Sequence, residues 1–123
     1  MSWKVTEEEF DGARERGFEL LVDGRPVPGV YWTPKTNARR LVLLGHGGTT
    51  HKKANHMLAM TRMFLDKGFC VMAIDGPGHG DRRLIDLARE PERFEEAWEK
   101  GGGTHAVIAD WSAALDFIEE EEG

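Results

Sequence analysis

The sequence predicts an α/β domain: three layers, α/β/α, around a mostly parallel sheet that opens with an antiparallel strand pair. Two runs and one periodicity predict it. Leu41-Val-Leu-Leu44 and Phe69-Cys-Val-Met-Ala-Ile74 are uninterrupted apolar stretches, as strands covered on both faces must be. Between them Ala54, Met57, Leu58, Thr61, Phe64 and Leu65 recur at helical spacing, with Gly68 as the stop. Strand, helix and strand of this kind form a βαβ unit, with a right-handed crossover.

The other elements follow in chain order. Thr6-Glu-Glu-Glu9 has the form of a capping box, and Val5 and Phe10 are spaced as a hydrophobic staple around it. A short helix over about residues 6–16, stopped by Gly17, is therefore expected. Phe18–Val22, Asp23-Gly24 and Val27–Thr33 spell a strand, a tight turn and a second strand. Pro28 suits that second strand only at an edge or a bulge. Beyond Asp75, two weaker helical pieces are expected around Leu84–Arg89 and Glu92–Lys100. After Gly101-Gly-Gly103, with Thr104 as cap, Val107, Ile108, Trp111, Ala114, Leu115 and Ile118 make one apolar stripe on a last helix. Glu119–Glu122 ends it with charges of the wrong sign for the helix dipole.

Composition narrows the function classes. With 123 residues the chain is one ordinary domain, 1–123. Sixteen Lys and Arg against 22 Asp and Glu give a net charge of −6, which argues against phosphate-dominated nucleic-acid binding. No apolar run approaches the roughly 20 residues of a membrane span, and no basic start followed by an apolar stretch marks a signal peptide. A single cysteine, Cys70, fits a reducing compartment. A cytoplasmic location is the expectation. Helices with a strong apolar stripe normally lead into another strand, so the chain is expected to be the first part of a larger domain.

Two glycine-rich segments carry the chemistry. Gly45-His46-Gly47-Gly48-Thr49-Thr50 follows the first buried strand, where an open α/β sheet binds ligands. Glycines there let backbone N–H groups approach a negative oxygen, as an oxyanion hole requires. Asp75-Gly-Pro-Gly-His79-Gly-Asp-Arg82 follows the second; its spacing fits neither the dinucleotide fingerprint nor a P-loop, and a structural turn is the plainer role.

Together, Leu41-Val-Leu-Leu-Gly-His-Gly-Gly and Ala73-Ile-Asp-Gly-Pro-Gly-His-Gly-Asp resemble the α/β-hydrolase superfamily, in its esterase and dienelactone-hydrolase-like branch. The resemblance runs from about Phe18 to Ile118. It implies the N-terminal part of that fold, with the Gly48 N–H as one oxyanion donor and Gly47 and Thr49 against substrate. His46 and His79 would shape loops and would not act as the catalytic base. The family's G-x-S-x-G nucleophile elbow is missing from the chain, and the acid and catalytic His would follow it.

No local residue is a ready substitute. Ser2 and Ser112 are the only serines, and Ser112 falls mid-helix. Cys70 lies in an apolar strand, where a thiol is inert. His51 and His56 do not share a helical face; with His46, His79 and Asp75 they would form a metal site only by an unusual convergence, so neither metal nor cofactor is expected. Trp3, Trp32, Trp98 and Trp111 suit core or cap packing. The first expectation is part of a carboxylic-ester hydrolase, inactive alone, taking a small-molecule ester when complete. The alternative is a non-catalytic interaction module or one half of a two-chain hydrolase. Either way, self-association or a complementing chain is expected at an exposed sheet edge, without nucleic acid or membrane.

Overall fold

The structure is a computed structural model that describes residues 2–36, 40–48, 50–87 and 89–122. Among these residues five strands form one mixed sheet: β1 (Ser2–Phe10), β2 (Ala13–Val22), β3 (Arg25–Thr33), β4 (Leu41–Leu44) and β5 (Cys70–Ile74), in the order β1-β2-β3-β5-β4. The first three strands and the β3–β5 seam are antiparallel, and β4 and β5 form the parallel pair. Helix α1 (Asn55–Asp66) connects β4 to β5, and α2 (Phe94–Lys100) and α3 (Gly103–Glu122) follow.

The sheet is covered on both sides. Met57 and Leu65 of α1 pack with Val30, Trp32, Leu44, Val71 and Ala73. Ala114, Phe117 and Ile118 of α3 pack with Phe18, Leu20, Tyr31, Met72 and Ile74 on the other face. Neighbours along β5 therefore alternate between two cores, which is why the whole strand is apolar. The end of α1 is a Schellman motif: Phe69 N–H donates to the Phe64 carbonyl and Gly68 N–H to that of Leu65, both at 3.0 Å. The Phe64 and Phe69 rings meet across it at 6.0 Å.

The expected helix over 6–16 is instead a hairpin. Asp11 and Gly12 both have positive φ, 48° and 84°, as do Asp23 and Gly24 at 50° and 77°. That is the backbone of a two-residue hairpin turn, favoured by Asp-Gly because its second residue has no Cβ to clash. Two copies of one turn make the meander β1-β2-β3. Gly17, expected as a helix stop, is opposite Val30 within β2, and Glu9 faces Arg14 across the first hairpin. Cross-strand pairing outweighs the local capping pattern.

Pro28 lies on an interior strand, at a place that tolerates it. Asp75 N–H donates to the Pro28 carbonyl at 3.1 Å, just beyond the last paired residue of β5. Proline cannot return that bond. The Asp75 carbonyl takes the Arg82 guanidinium instead, at 3.0 Å.

Two further expectations shift. Residues 84–87 are turn and bend, not helix; Asp86 accepts from the Arg89 and Glu90 N–H groups in a single turn before Pro91. One turn is too short to stabilise itself. The stripe on α3 is rotated: its buried face is Gly103, Ala106, Asp110, Ala114, Phe117 and Ile118, whereas Ile108 and Leu115 are exposed. Thr104 lies inside this helix, which begins at Gly103.

Candidate active site

The two glycine-rich segments leave the carboxyl ends of β4 and β5, adjacent parallel strands, and so emerge side by side. Between them and the helices lies a cleft of about 180 Å³, lined by Gly45–Gly48, Gly76, His79, Phe94, Trp98, Val107, Asp110 and Trp111. Gly47 and Gly48 are exposed to it. Thr49 lies outside the described residues. A Cβ at Gly48 would stand 2.9 Å from the Phe94 ring, so a larger residue there would have to displace the ring. Phe94 stacks on Trp98 with ring centroids 6.1 Å apart, and His79 meets Phe94 edge-on at 5.3 Å. Trp98 and Trp111, expected as packing residues, are walls of the cleft; Trp32 is the fully buried core residue.

His46 fastens the first segment to the second. Its Nε2 accepts the Gly76 N–H at 2.8 Å, so the ring proton is on Nδ1, which bonds the Gly47 carbonyl at 2.8 Å. Burial lowers its pKa, an effect only partly opposed by the bond to Gly47. A neutral ring with both nitrogens engaged is a brace for the loop. His79 is buried, with Nδ1 2.9 Å from the Pro77 carbonyl.

A second fastening is ionic. Asp75 is completely buried, yet Lys52 N–H reaches its Oδ1 at 3.0 Å, and Lys52 Nζ and Asp81 N–H reach its Oδ2 at 2.7 and 3.0 Å. Lys52 Nζ also meets Asp81 at 2.9 Å. Burial alone would lower the Lys52 pKa, but Asp75 and Asp81 outweigh it and raise it. The third is Asp110 of α3, also completely buried, which accepts Arg82 Nη1 at 2.8 Å and pairs with Arg25 at 3.1 Å.

Sequence reasoning missed Lys52, Phe94 and Asp110. For Asp110 a signal existed: it interrupts a face otherwise made of small and apolar residues at 103, 106, 114, 117 and 118, and a charge there implies a buried partner. The candidate metal residues do not converge. His51 and His56 are exposed, His51 Nδ1 accepts from Lys53 N–H at 3.2 Å, and Asp75 is occupied by Lys52. Among the described residues no three His, Cys, Asp or Glu side chains are grouped as a metal needs. Ser112 is exposed in the middle of α3, and Cys70 is buried.

Solved structures share this fold. A cold-adapted esterase from an Arctic intertidal metagenomic library, in its PEG-bound complex, is 53% identical with a TM-score of 0.88 over 100% of this chain and 52% of its own. The fold is that of the N-terminal portion of the α/β-hydrolase esterases. In its native structure that esterase gives 46% identity and a TM-score of 0.78, over 100% of this chain and 49% of its own. An acetyl xylan esterase from Paenibacillus sp. R4 shares the fold at 18% identity, with a TM-score of 0.62 over 96% of this chain and 41% of its own. This chain thus spans about half the length of the esterase chains it matches at higher identity. No protein-family model matches the chain, and no curated protein sequence matches it. Among the described residues no helix is long and apolar enough to cross a membrane.

Proposed function

We propose that this chain carries the oxyanion-hole side of a carboxylic-ester hydrolase, and that a serine-type nucleophile, acid and base come from polypeptide outside residues 1–123. The observation that carries the reading is the braced Gly45–Gly48 loop over an aromatic-walled cleft at the ends of two parallel strands. In this reading the Gly48 N–H bonds the developing oxyanion, with Gly47 and Thr49 against a small-molecule ester. The sequence offers no serine at a strand-to-helix turn, so the chain alone is inactive. It is one domain of a cytoplasmic protein.

The missing part docks on β4, whose only partner among the described residues is β5. An unpaired strand edge is a template for another strand. Leu43, Ile108 and Leu115 are exposed apolar residues as well, and such surface favours association. A second copy of the chain, or a complementing chain, would cover it in the same way.

The test is complementation. The chain is mixed with the separately expressed C-terminal half of the 53% identical cold-adapted esterase, and hydrolysis of p-nitrophenyl acetate is followed. Activity is expected only in the mixture, and Gly48→Pro, which deletes the donor, should cut kcat by about 10²–10³. Full kcat in a folded Gly48→Pro mixture would remove Gly48 from the role. A mixed complex without hydrolysis would sink the ester reading. Light scattering of the chain alone should show a dimer or larger; a clean 13.8 kDa species at high concentration would refute the edge argument.

A further inference from the structure

On the other side of α2 from the cleft lies a larger groove, of about 350 Å³. Its walls carry Arg25, Arg82, Arg83 and Lys100 against a single carboxylate, Asp81, in a chain whose net charge is −6. The cations are not neutralised in place. Arg25 and Arg82 share Asp110, one carboxylate for two guanidiniums. Asp81 pairs with Lys52, which is not a groove residue. Arg83 makes no ion pair among the described residues; its Nη1 donates to the neutral Gly80 carbonyl at 3.2 Å. Among the described residues only Lys100 has an acidic partner of its own, Glu96 at 2.9 Å.

Arg82 is the prepared element. Its side chain is 7% exposed, and its hydrogen bonds, to Asp75 O and Asp110 Oδ2, both leave from Nη1. The Nε and Nη2 edge of the fork remains, and that edge matches a planar carboxylate. Two buried acceptors hold the guanidinium still, so little freedom is lost on binding. Between the cations the wall is apolar: Ile85 is buried and Leu84, 88% exposed, projects its side chain at the rim.

We propose that this groove binds a small amphiphilic monocarboxylate, the head on Arg82 and Arg83 and the hydrocarbon tail against Leu84 and Ile85. A cavity of about 150 Å³ holds benzene, so this one accepts an acid of roughly six to eight carbons. A fully hydrated phosphate would forfeit the apolar wall, and a neutral alcohol would forfeit the cations. The site does not depend on the ester reading. It does touch the cleft, because Asp110, which lines the cleft, holds Arg82, which lines the groove.

The test is an amide-resolved NMR titration of the full chain with hexanoate, 1-hexanol and inorganic phosphate at pH 7. Hexanoate should give saturable shifts at Leu84, Ile85 and Gly101, with hexanol and phosphate roughly tenfold weaker or worse. The double variant Arg83→Gln/Lys100→Gln, both exposed residues, should weaken hexanoate by roughly tenfold or more while the rest of the spectrum is preserved. No saturable shift, equal binding of hexanol or phosphate, or shifts confined to Gly48, Phe94, Trp98 and Trp111 would overturn the proposal. If the double variant fails to fold, the ranking of the three ligands on the unmodified chain decides.

Discussion

The antiparallel meander β1–β3 and the loops that leave β4 and β5 share one sheet, but they are fastened by different means. The meander is held by shape: Phe18 and Trp32 are fully buried, and Trp3, Phe18 and Phe117 stack within 4.9–6.1 Å of one another. The loops are held by charge and by backbone donors: Lys52 on Asp75, Arg82 on Asp110, and His46 on Gly76. Apolar packing is non-directional and tolerates repacking. A buried ion pair stabilises little against an apolar substitute, but it specifies one partner and one geometry, and losing either member is costly. Most of these directional fastenings are at the cleft; within the meander the buried Glu15, held by Trp32 and Lys53, is another.

Each kind of fastening can be removed on its own. Phe18→Ala should have the largest effect, about 3–5 kcal/mol in urea unfolding, by removing a ring from the centre of the meander core. Its signature is global: hydrogen exchange should accelerate throughout. A loss below about 1 kcal/mol would show that the meander is not held by this packing. Lys52→Met should cost about 3 kcal/mol, since it leaves Asp75 buried without its counter-ion. Here the first amides to exchange faster should be those of residues 45–53 and 75–81; uniform acceleration would contradict a local fastening.

The smallest effect is the pH dependence contributed by His46. Its pKa is lowered in the folded chain, so the stability from its neutral ring is complete above the unfolded value of about 6.5 and is lost as pH falls through the folded value. Unfolding free energies measured from pH 8 down to pH 5 should therefore decline, and His46→Asn should flatten part of the decline. An unchanged slope in the variant would place the titration elsewhere.

The sequence displayed the parallel pair more clearly than the meander, for a physical reason. A strand covered on both faces has no freedom of pattern, so Phe69–Ile74 stood out as an apolar run; Leu41–Leu44 is equally apolar, although only Leu44 is buried and Leu43 is exposed. The β1 segment, with Glu at 7, 8 and 9, matched a helix start just as well. Asp11-Gly12 carried the same turn signal as Asp23-Gly24 and should have weighed against that helix. The place of Gly47 and Gly48 beside a cleft was legible, because open α/β sheets form their crevices beyond the carboxyl ends of strands. Lys52, Asp110 and Phe94 were not, because they meet the loops from 23 to 46 residues away in the chain, and only packing brings them there.

The tryptophans have a use of their own. Trp32 is sealed in the α1-side core, with its Nε1 donating to the buried Glu15 at 2.7 Å. Trp3 lies beneath the Arg16 guanidinium at 4.2 Å, and Arg16 also grips Glu122 in the last turn of α3. Trp98 and Trp111 face the cleft. Indole emission depends on such surroundings, so this chain contains its own fluorescent probes. Variants retaining one indole at a time would report separately on the α1-side core, on the junction of the meander with the end of α3, and on the cleft, without an added dye.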